Sequence, residues 1–353
     1  MLISLAVAAL AAFAGPAFSL PSSPKPELSV KLTRLGNTLV QAVLTNNANR
    51  ELKLLTLNTI LDQGPVRRVD IAKNNKKVDF KGIYKLLRTS GLTEDAFTTV
   101  APGATLTTEI NVADTADLSS GGGYVISSHG VFSVADETGT AIGGTVQYRS
   151  NELKLEVDGA EAAAVPLAFN PHVKRTQLQS SSCSGDRVQI MQTALSNCQT
   201  LANAAAQAAS SGDAAKFQEF YMTSSAQSRQ TVASRFQSVA RECSSAQSGA
   251  TRYYCQDPYG QCQSNYIAYT YPTRNEVVNC PYFYRIPPVG SSCRQQDQGY
   301  TVLHEMTHAQ GVVSPYCQDH AYGYDAIRRL SAGQAIQNAD TYSLYSLAIK
   351  HRC

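Results

Sequence analysis

Apolar and polar residues alternate along the first half of the chain and follow a longer period in the second. Leu28, Val30 and Leu32 are separated by polar residues, and the same spacing recurs in Leu106, Thr108, Ile110 and Val112 and in Leu153, Leu155 and Val157. A period of two puts each set on one face of a strand. Gly36-Asn37 and Gly121 to Gly123 punctuate the runs as turns or loops. This pattern predicts a small antiparallel β domain, a sandwich, from Leu20 to about Val157. Between Gly159 and Pro171 the chain turns to Ala, Pro and Asn without period and reads as a linker. Beyond it, Asp186 to Ala209 is Ala-rich with Val188, Met191, Leu195 and Leu201 near helical spacing, and Ala214 to Met222 and Ala226 to Cys243 continue the helical pattern. The period then changes again. Tyr266 to Tyr271 and Val277 to Ile286 are aromatic and β-branched and suit a short hairpin or pair of strands. An exposed edge there would bind an extended peptide as an added strand; the other reading is a tyrosine-rich packing surface.

A chain of 353 residues has room for two domains. Its formal charge of +3 is close to neutral and implies no nucleic-acid partner. Leu2 to Ala14 is an apolar run followed by Gly15-Pro16 and Ala17-Phe18-Ser19, with small residues where a signal peptidase reads. No Lys or Arg precedes the run, and it stops short of the roughly 20 residues that a membrane span needs. Residues 1–19 are therefore expected to be a cleaved signal, and the protein to be secreted, without a membrane partner. All nine cysteines lie after residue 182, where an oxidising compartment would pair most of them. No CxxC cluster suggests a thiolate metal site. Lys174-Arg175 closes the linker at the point where a Lys-rich, cysteine-free composition gives way to one dominated by Tyr, Gln, Ser and Cys. This dibasic pair is a candidate cut for a processing protease.

The stretch Thr301 to Gly311 carries His304, Glu305 and His308 in an HExxH pattern. On a helix, residues four apart share a face, so two imidazoles can meet one metal ion while the intervening carboxylate points at its open position. A catalytic zinc site needs a third protein ligand. Continuation as HExxHxxGxxH would put a histidine at Ser314, and no glutamate follows Glu305, so the two commoner zinc classes do not fit. The downstream donors are Asp319, Asp325 and Asp340, with His320 and His351 as nitrogen candidates. Asp319 lies beyond a turn marked by Gly311 and Ser314-Pro315, far enough for the chain to reverse and face the helix. Tyr322, three residues on, could aim its hydroxyl at the same metal-bound oxygen.

HEMTH followed by DHAYGY resembles the aspzincins, the fungal deuterolysin or neutral protease 2 family of zinc metalloendopeptidases. The likeness covers 176–353 and the layout of signal, cysteine-free prosegment and dibasic junction. It implies an α+β protein: a signal at 1–19, an all-β prosegment domain at 20–175, and a mainly α-helical zincin-like catalytic domain with a small β-sheet at 176–353. It implies one Zn2+ held by His304, His308 and Asp319, Glu305 as general base, and Tyr322 supporting the oxyanion or donating a proton. Tyr282 matches a tyrosine of functional weight. Asp340 matches an acidic residue acting behind the ligands or as the floor of a pocket for basic side chains. The resemblance further suggests disulfides Cys183–Cys255, Cys262–Cys280 and Cys293–Cys353, with Cys198, Cys243 and Cys317 left over. Its partners would be protein or peptide substrates, with a preference for basic ones, and a protease cutting after Lys174-Arg175; the enzyme would act as a monomer. A reading from another class is a binding protein with a structural zinc closed by Cys317 as fourth ligand.

Overall fold

A computed structural model describes residues 26–169, 182–244 and 248–353. Of the twelve strands that precede residue 158, eleven build three sheets in which every strand pair is antiparallel. In the first, Leu28–Arg34 pairs with Leu39–Asn46, which pairs in turn with Thr105–Asn111. The register sets Val30 opposite Leu44 and Leu32 opposite Ala42, so the buried residues of the alternating pattern are cross-strand neighbours on one face. These side chains close a core with Leu52 and Leu54 from the second sheet and Ile71, Tyr124, Ile126 and Leu155 from the third. Three sheets share this core, rather than the two of a sandwich. Gly121 and Gly122 adopt φ of 57° and 83°, which only glycine takes without steric cost. Gly122 then opens the strand Gly122–Ser127 and pairs with Val157, so this glycine run is partly strand. The stretch read as a linker begins with a short helix, Gly159–Ala163, because the Asp158 side chain accepts hydrogen bonds from the amides of Ala160 and Glu161.

The second half is led by the helix Asp186–Ser211, packed against Ala226–Cys243. Its buried stripe is Met191, Ala194, Cys198, Leu201, Ala202, Ala205 and Ala209, whereas Val188 is exposed. Small residues on that face allow the close approach that a Cys198–Cys243 disulfide requires. Four cysteine pairs are bonded: Cys183–Cys255, Cys198–Cys243, Cys262–Cys280 and Cys293–Cys353. The second of these joins two cysteines that the resemblance had left over. Cys317 is free and buried.

The fourth sheet decides the fold class. Its order is Arg252–Tyr254, Glu276–Asn279, Tyr266–Tyr271 and then Tyr84–Leu87. Tyr84–Leu87 comes from the N-terminal half and runs antiparallel to Tyr266–Tyr271, with Tyr84 opposite Thr270 and Lys85 opposite Tyr269. The expectation of an all-β first part and a mainly helical second part is thus overturned. The described residues hold fifteen strands in four sheets and eight helices, one helix lies in the first half, and one sheet is shared by both halves. Helical periodicity over 186–243 misleads because it is not continued: the segments before and after the HExxH helix, 280–297 and 309–323, contain no α-helix. Residues 1–19 and the Lys174-Arg175 junction lie outside the described residues.

Candidate metal centre and peptide cleft

The helix Gln298–His308 is capped by Asp297, whose carboxylate accepts from the amide of Tyr300 at 2.7 Å, and every residue of the helix is buried. His304 and His308 are one turn apart on it, with Nε2 atoms 3.2 Å apart. After Ala309 the chain reverses. The Cys317 amide donates to the Thr307 carbonyl at 2.9 Å and the Gln318 amide to the Gln337 carbonyl at 2.6 Å, which pins the returning segment between the helix end and the start of the last helix, Ala339–His351. Asp319 is thereby held against the imidazoles, with Oδ1 3.2 Å from both Nε2 atoms. His308 Nδ1 lies 2.9 Å from the Cys317 carbonyl, the donor arrangement that leaves Nε2 as the free lone pair.

Ligand atoms on a tetrahedral zinc ion with bonds of about 2.0–2.1 Å lie about 3.3 Å from one another. The three separations here match that spacing. Both carboxylate oxygens of Asp319 are buried without a hydrogen bond of acceptable geometry, as is Oε1 of Glu305. Buried oxygens aimed at two imidazole nitrogens are a donor set that fits a divalent cation. Asp325 and Asp340 are not in the cluster, and neither are His320 and His351. The Cys317 sulfur lies 3.8 Å from Nη1 of Arg235, and burial pushes its thiol up to about 11; the four-ligand structural site with Cys317 is not formed.

Electrostatics follow from burial in a mixed-charge site. Burial pushes the Glu305 carboxyl up to about 7, opposed by His304 and His308; its Oε2 accepts from Thr270 Oγ1 at 2.6 Å. Burial also works against ionisation of Asp319, but the His308 and His304 imidazoles outweigh it and hold that carboxyl below its usual range. For His304, burial favours the neutral ring and Asp319 outweighs it, so its pKa is raised. Burial holds the Tyr322 hydroxyl well above its ordinary pKa, with Asp319 adding to the effect, so it stays a proton donor. Asp340 is fully buried and sits 3.8 Å from His304 Nδ1. Its oxygens accept from Tyr300 Oη and from the Gly323 amide, so it stands behind the histidine and is closed to solvent.

The N-terminal half crosses this site. Tyr84 stacks on His308 with centroids 4.6 Å apart and planes 10° from parallel. The Tyr322 hydroxyl donates to the Lys85 carbonyl at 2.9 Å, and Asn58 Nδ2 donates to both that carbonyl and the Tyr322 oxygen. Tyr282 lies under the guanidinium of Arg88, 4.2 Å from ring centroid to Cζ.

A match to the deuterolysin metalloprotease (M35) family spans residues 1–353. The chain is 46% identical over 353 residues to a neutral protease 2 homolog of Uncinocarpus reesii, covering 99% of both chains. It is 45% identical over 348 residues to neutral protease 2 of Aspergillus oryzae, covering 98% of both. The chain belongs to the deuterolysin metalloprotease family. Family membership makes it a metalloendopeptidase, acting on protein or peptide substrates with a bound metal ion. In this family member several residues around the cluster carry no motif of their own: Thr270 on Glu305, Tyr300 on Asp340, and Asn338, whose Oδ1 accepts from the amides of His320 and Ala321 at 2.7 and 3.1 Å. The only local signal for Asn338 is its place just before the last helix, where Asn is a favoured cap. Among the described residues no helix is long and apolar enough to cross a membrane.

Proposed function

We propose that this chain is a secreted zinc metalloendopeptidase made as a preproenzyme, with a signal at 1–19, a prosegment at 20–175 and a catalytic domain at 176–353 released by cleavage after Lys174-Arg175, and that it acts as a monomer and favours basic proteins. The observation that carries the reading is the meeting of His304, His308 and Asp319 at zinc-ligand spacing beside Glu305. Bound there, zinc supplies Lewis acidity, lowering the pKa of water toward about 7 and polarising a carbonyl. Glu305 takes the proton of the attacking water and passes it to the leaving amine. Its raised pKa suits a group that must both accept and return a proton near neutral pH. Thr270 fixes its carboxylate. Tyr322 hydrogen-bonds the carbonyl oxygen of the scissile peptide, in the way its hydroxyl meets the Lys85 carbonyl. Asp340 and Tyr300 hold His304 from behind.

Latency before cleavage is supported by the strand Tyr84–Leu87, which lies along the sheet edge and over His308. Secretion is supported by the cysteine pairs and the apolar N-terminal run. The experiment is zinc stoichiometry and casein hydrolysis by the chain before and after cleavage, with Asp319→Ala and Asp340→Ala side by side. Asp319→Ala is expected to lose zinc and activity together, and Asp340→Ala to keep part of both. Zinc-loaded, cleaved protein that leaves casein intact would sink the proposal.

A further inference from the structure

The strand Tyr84–Leu87 carries two cations into the cleft, and each comes to rest on a tyrosine of the second half. Lys85 Nζ lies 4.6 Å from the ring centroid of Tyr266 and 3.5 Å from its hydroxyl. Arg88, just past the strand, puts its Cζ 4.2 Å from the ring centroid of Tyr282. An ammonium or guanidinium over an aromatic face is held by the ring quadrupole, most strongly where water is excluded. Lys85 is 2% exposed.

Three features mark this strand as lying where a peptide substrate lies. It adds to the outer edge of Tyr266–Tyr271 in antiparallel register, the way extended peptides join a sheet. Its Lys85 carbonyl receives the Tyr322 hydroxyl. Its Tyr84 ring covers His308. In that register the Lys85–Leu86 bond is the one whose carbonyl oxygen meets Tyr322. Lys85 is then the residue that contributes the scissile carbonyl, and Arg88 is the third residue beyond the bond.

An acidic pocket does not explain a basic preference here. Asp340 is sealed behind His304. The carboxylate that acts on Lys85 is Asp62, which belongs to the N-terminal half and would leave with it. The aromatic faces remain. Resting on the metalloendopeptidase reading above, we propose that Tyr266 and Tyr282 are specificity-determining residues of the cleft. Tyr266 takes a basic residue immediately before the scissile bond, and Tyr282 takes a second basic residue at the third position after it.

The test uses the zinc-loaded enzyme recovered after cleavage of the full chain, with peptides that differ only in carrying Lys or norleucine at those two positions. Lys is expected to raise kcat/KM about tenfold at each position, the scale of a partly desolvated cation–π contact. Tyr282→Leu should abolish the preference at the third position and leave the first intact, whereas Tyr282→Phe should retain it. Tyr266→Leu and Tyr266→Phe should behave likewise for the first position. Because Tyr266 is buried and its loss can disturb folding, the half-buried Tyr282 pair carries the test by itself. Kd for the uncleaved peptides on Glu305→Gln enzyme, read by fluorescence anisotropy, should show the same ratios without turnover. Equal rates and equal Kd for Lys and norleucine peptides overturn the assignment while leaving the peptidase reading standing, as does a Leu variant that keeps both preferences. Cleaved, zinc-loaded enzyme that hydrolyses neither casein nor any of the peptides overturns both.

Discussion

The two halves of this molecule are stabilised in different ways. Residues 26–169 close an apolar core of their own by strand alternation, without a cysteine and with few ionisable groups in it, and lend Ile83, Leu86 and Leu87 to the core of the second half. Residues 182–353 bury His304, Glu305, His308 and Asp340 completely and carry all four disulfides. Burying charged groups is costly unless each finds a partner, and a metal site cannot satisfy all of its donors without its metal. Cross-links that restrict the unfolded chain offset part of that cost. The contrast is one of chemistry: the core of the first half holds nothing reactive, and the second half buries its ionisable cluster beside the cross-linked helices.

The largest expected effect tests whether the buried charges of the second half serve catalysis. Glu305→Gln keeps the shape of the side chain and its contact with Thr270 but removes the carboxylate, the group proposed as the base. It should leave zinc content unchanged and lower kcat by about 10²–10⁴-fold on casein or peptides. A variant with full activity would show that Glu305 is only a buried carboxyl. Next is Tyr322→Phe in the cleaved enzyme. Loss of one hydrogen-bond donor to the oxyanion should lower kcat by about 10²–10³-fold with little change in KM. An equal loss confined to KM would place the hydroxyl in substrate binding instead.

The third test addresses bracing. Removing the Cys198–Cys243 bond by Cys198→Ala with Cys243→Ala opens a loop of 45 residues between two packed helices. The core around that bond, to which the first half lends Ile83, Leu86 and Leu87, should lose about 2–4 kcal/mol in denaturant unfolding, while the separate core around Leu28, Leu44 and Leu52 should unfold unchanged. If both halves lose stability together, they unfold as one unit and the contrast drawn above is one of composition only.

The meeting of His304, His308 and Asp319 was legible in the sequence because it depends on short-range spacing. HExxH needs only one helical turn, and Asp319 follows within a single chain reversal. The β pattern of the first half was legible for the same reason, since Leu28, Val30 and Leu32 declare a face by alternation. Other features were hidden because their meaning is tertiary. Tyr84–Leu87 is buried on both faces, so it shows no alternation, and its partner strand begins at Tyr266. The helix Asp186–Ser211 misled in detail, because its buried stripe is mostly Ala and Cys while the apolar Val188 faces solvent. Thr270, Tyr300 and Asn338 act on Glu305, Asp340 and the 320–321 backbone through contacts that no local motif announces.

The smallest expected effect concerns the joint between the halves, at Asn58. Its backbone φ of 56° is left-handed, a conformation Asn and Gly tolerate and Ala does not, so Asn58→Gly is the substitution that removes the amide without adding strain. The amide donates to the Lys85 carbonyl and to the Tyr322 hydroxyl, so it fastens the inserted strand to Tyr322. Only the bond to Tyr322 crosses between the halves, and one hydrogen bond at about 0.5–1.5 kcal/mol net corresponds to about a two- to tenfold shift in the open fraction. In a chain kept uncut by Lys174→Ala and Arg175→Ala, Asn58→Gly should therefore raise casein hydrolysis by about that factor over the uncut parent. Gln147→Ala provides the comparison, because Gln147 also ties the halves together, through the Arg329 carbonyl at 2.9 Å, but does not touch Tyr322. If Gln147→Ala releases as much activity as Asn58→Gly, the first half blocks the cleft by docking as a whole. If only Asn58→Gly does, the block is local to the strand and its grip on Tyr322.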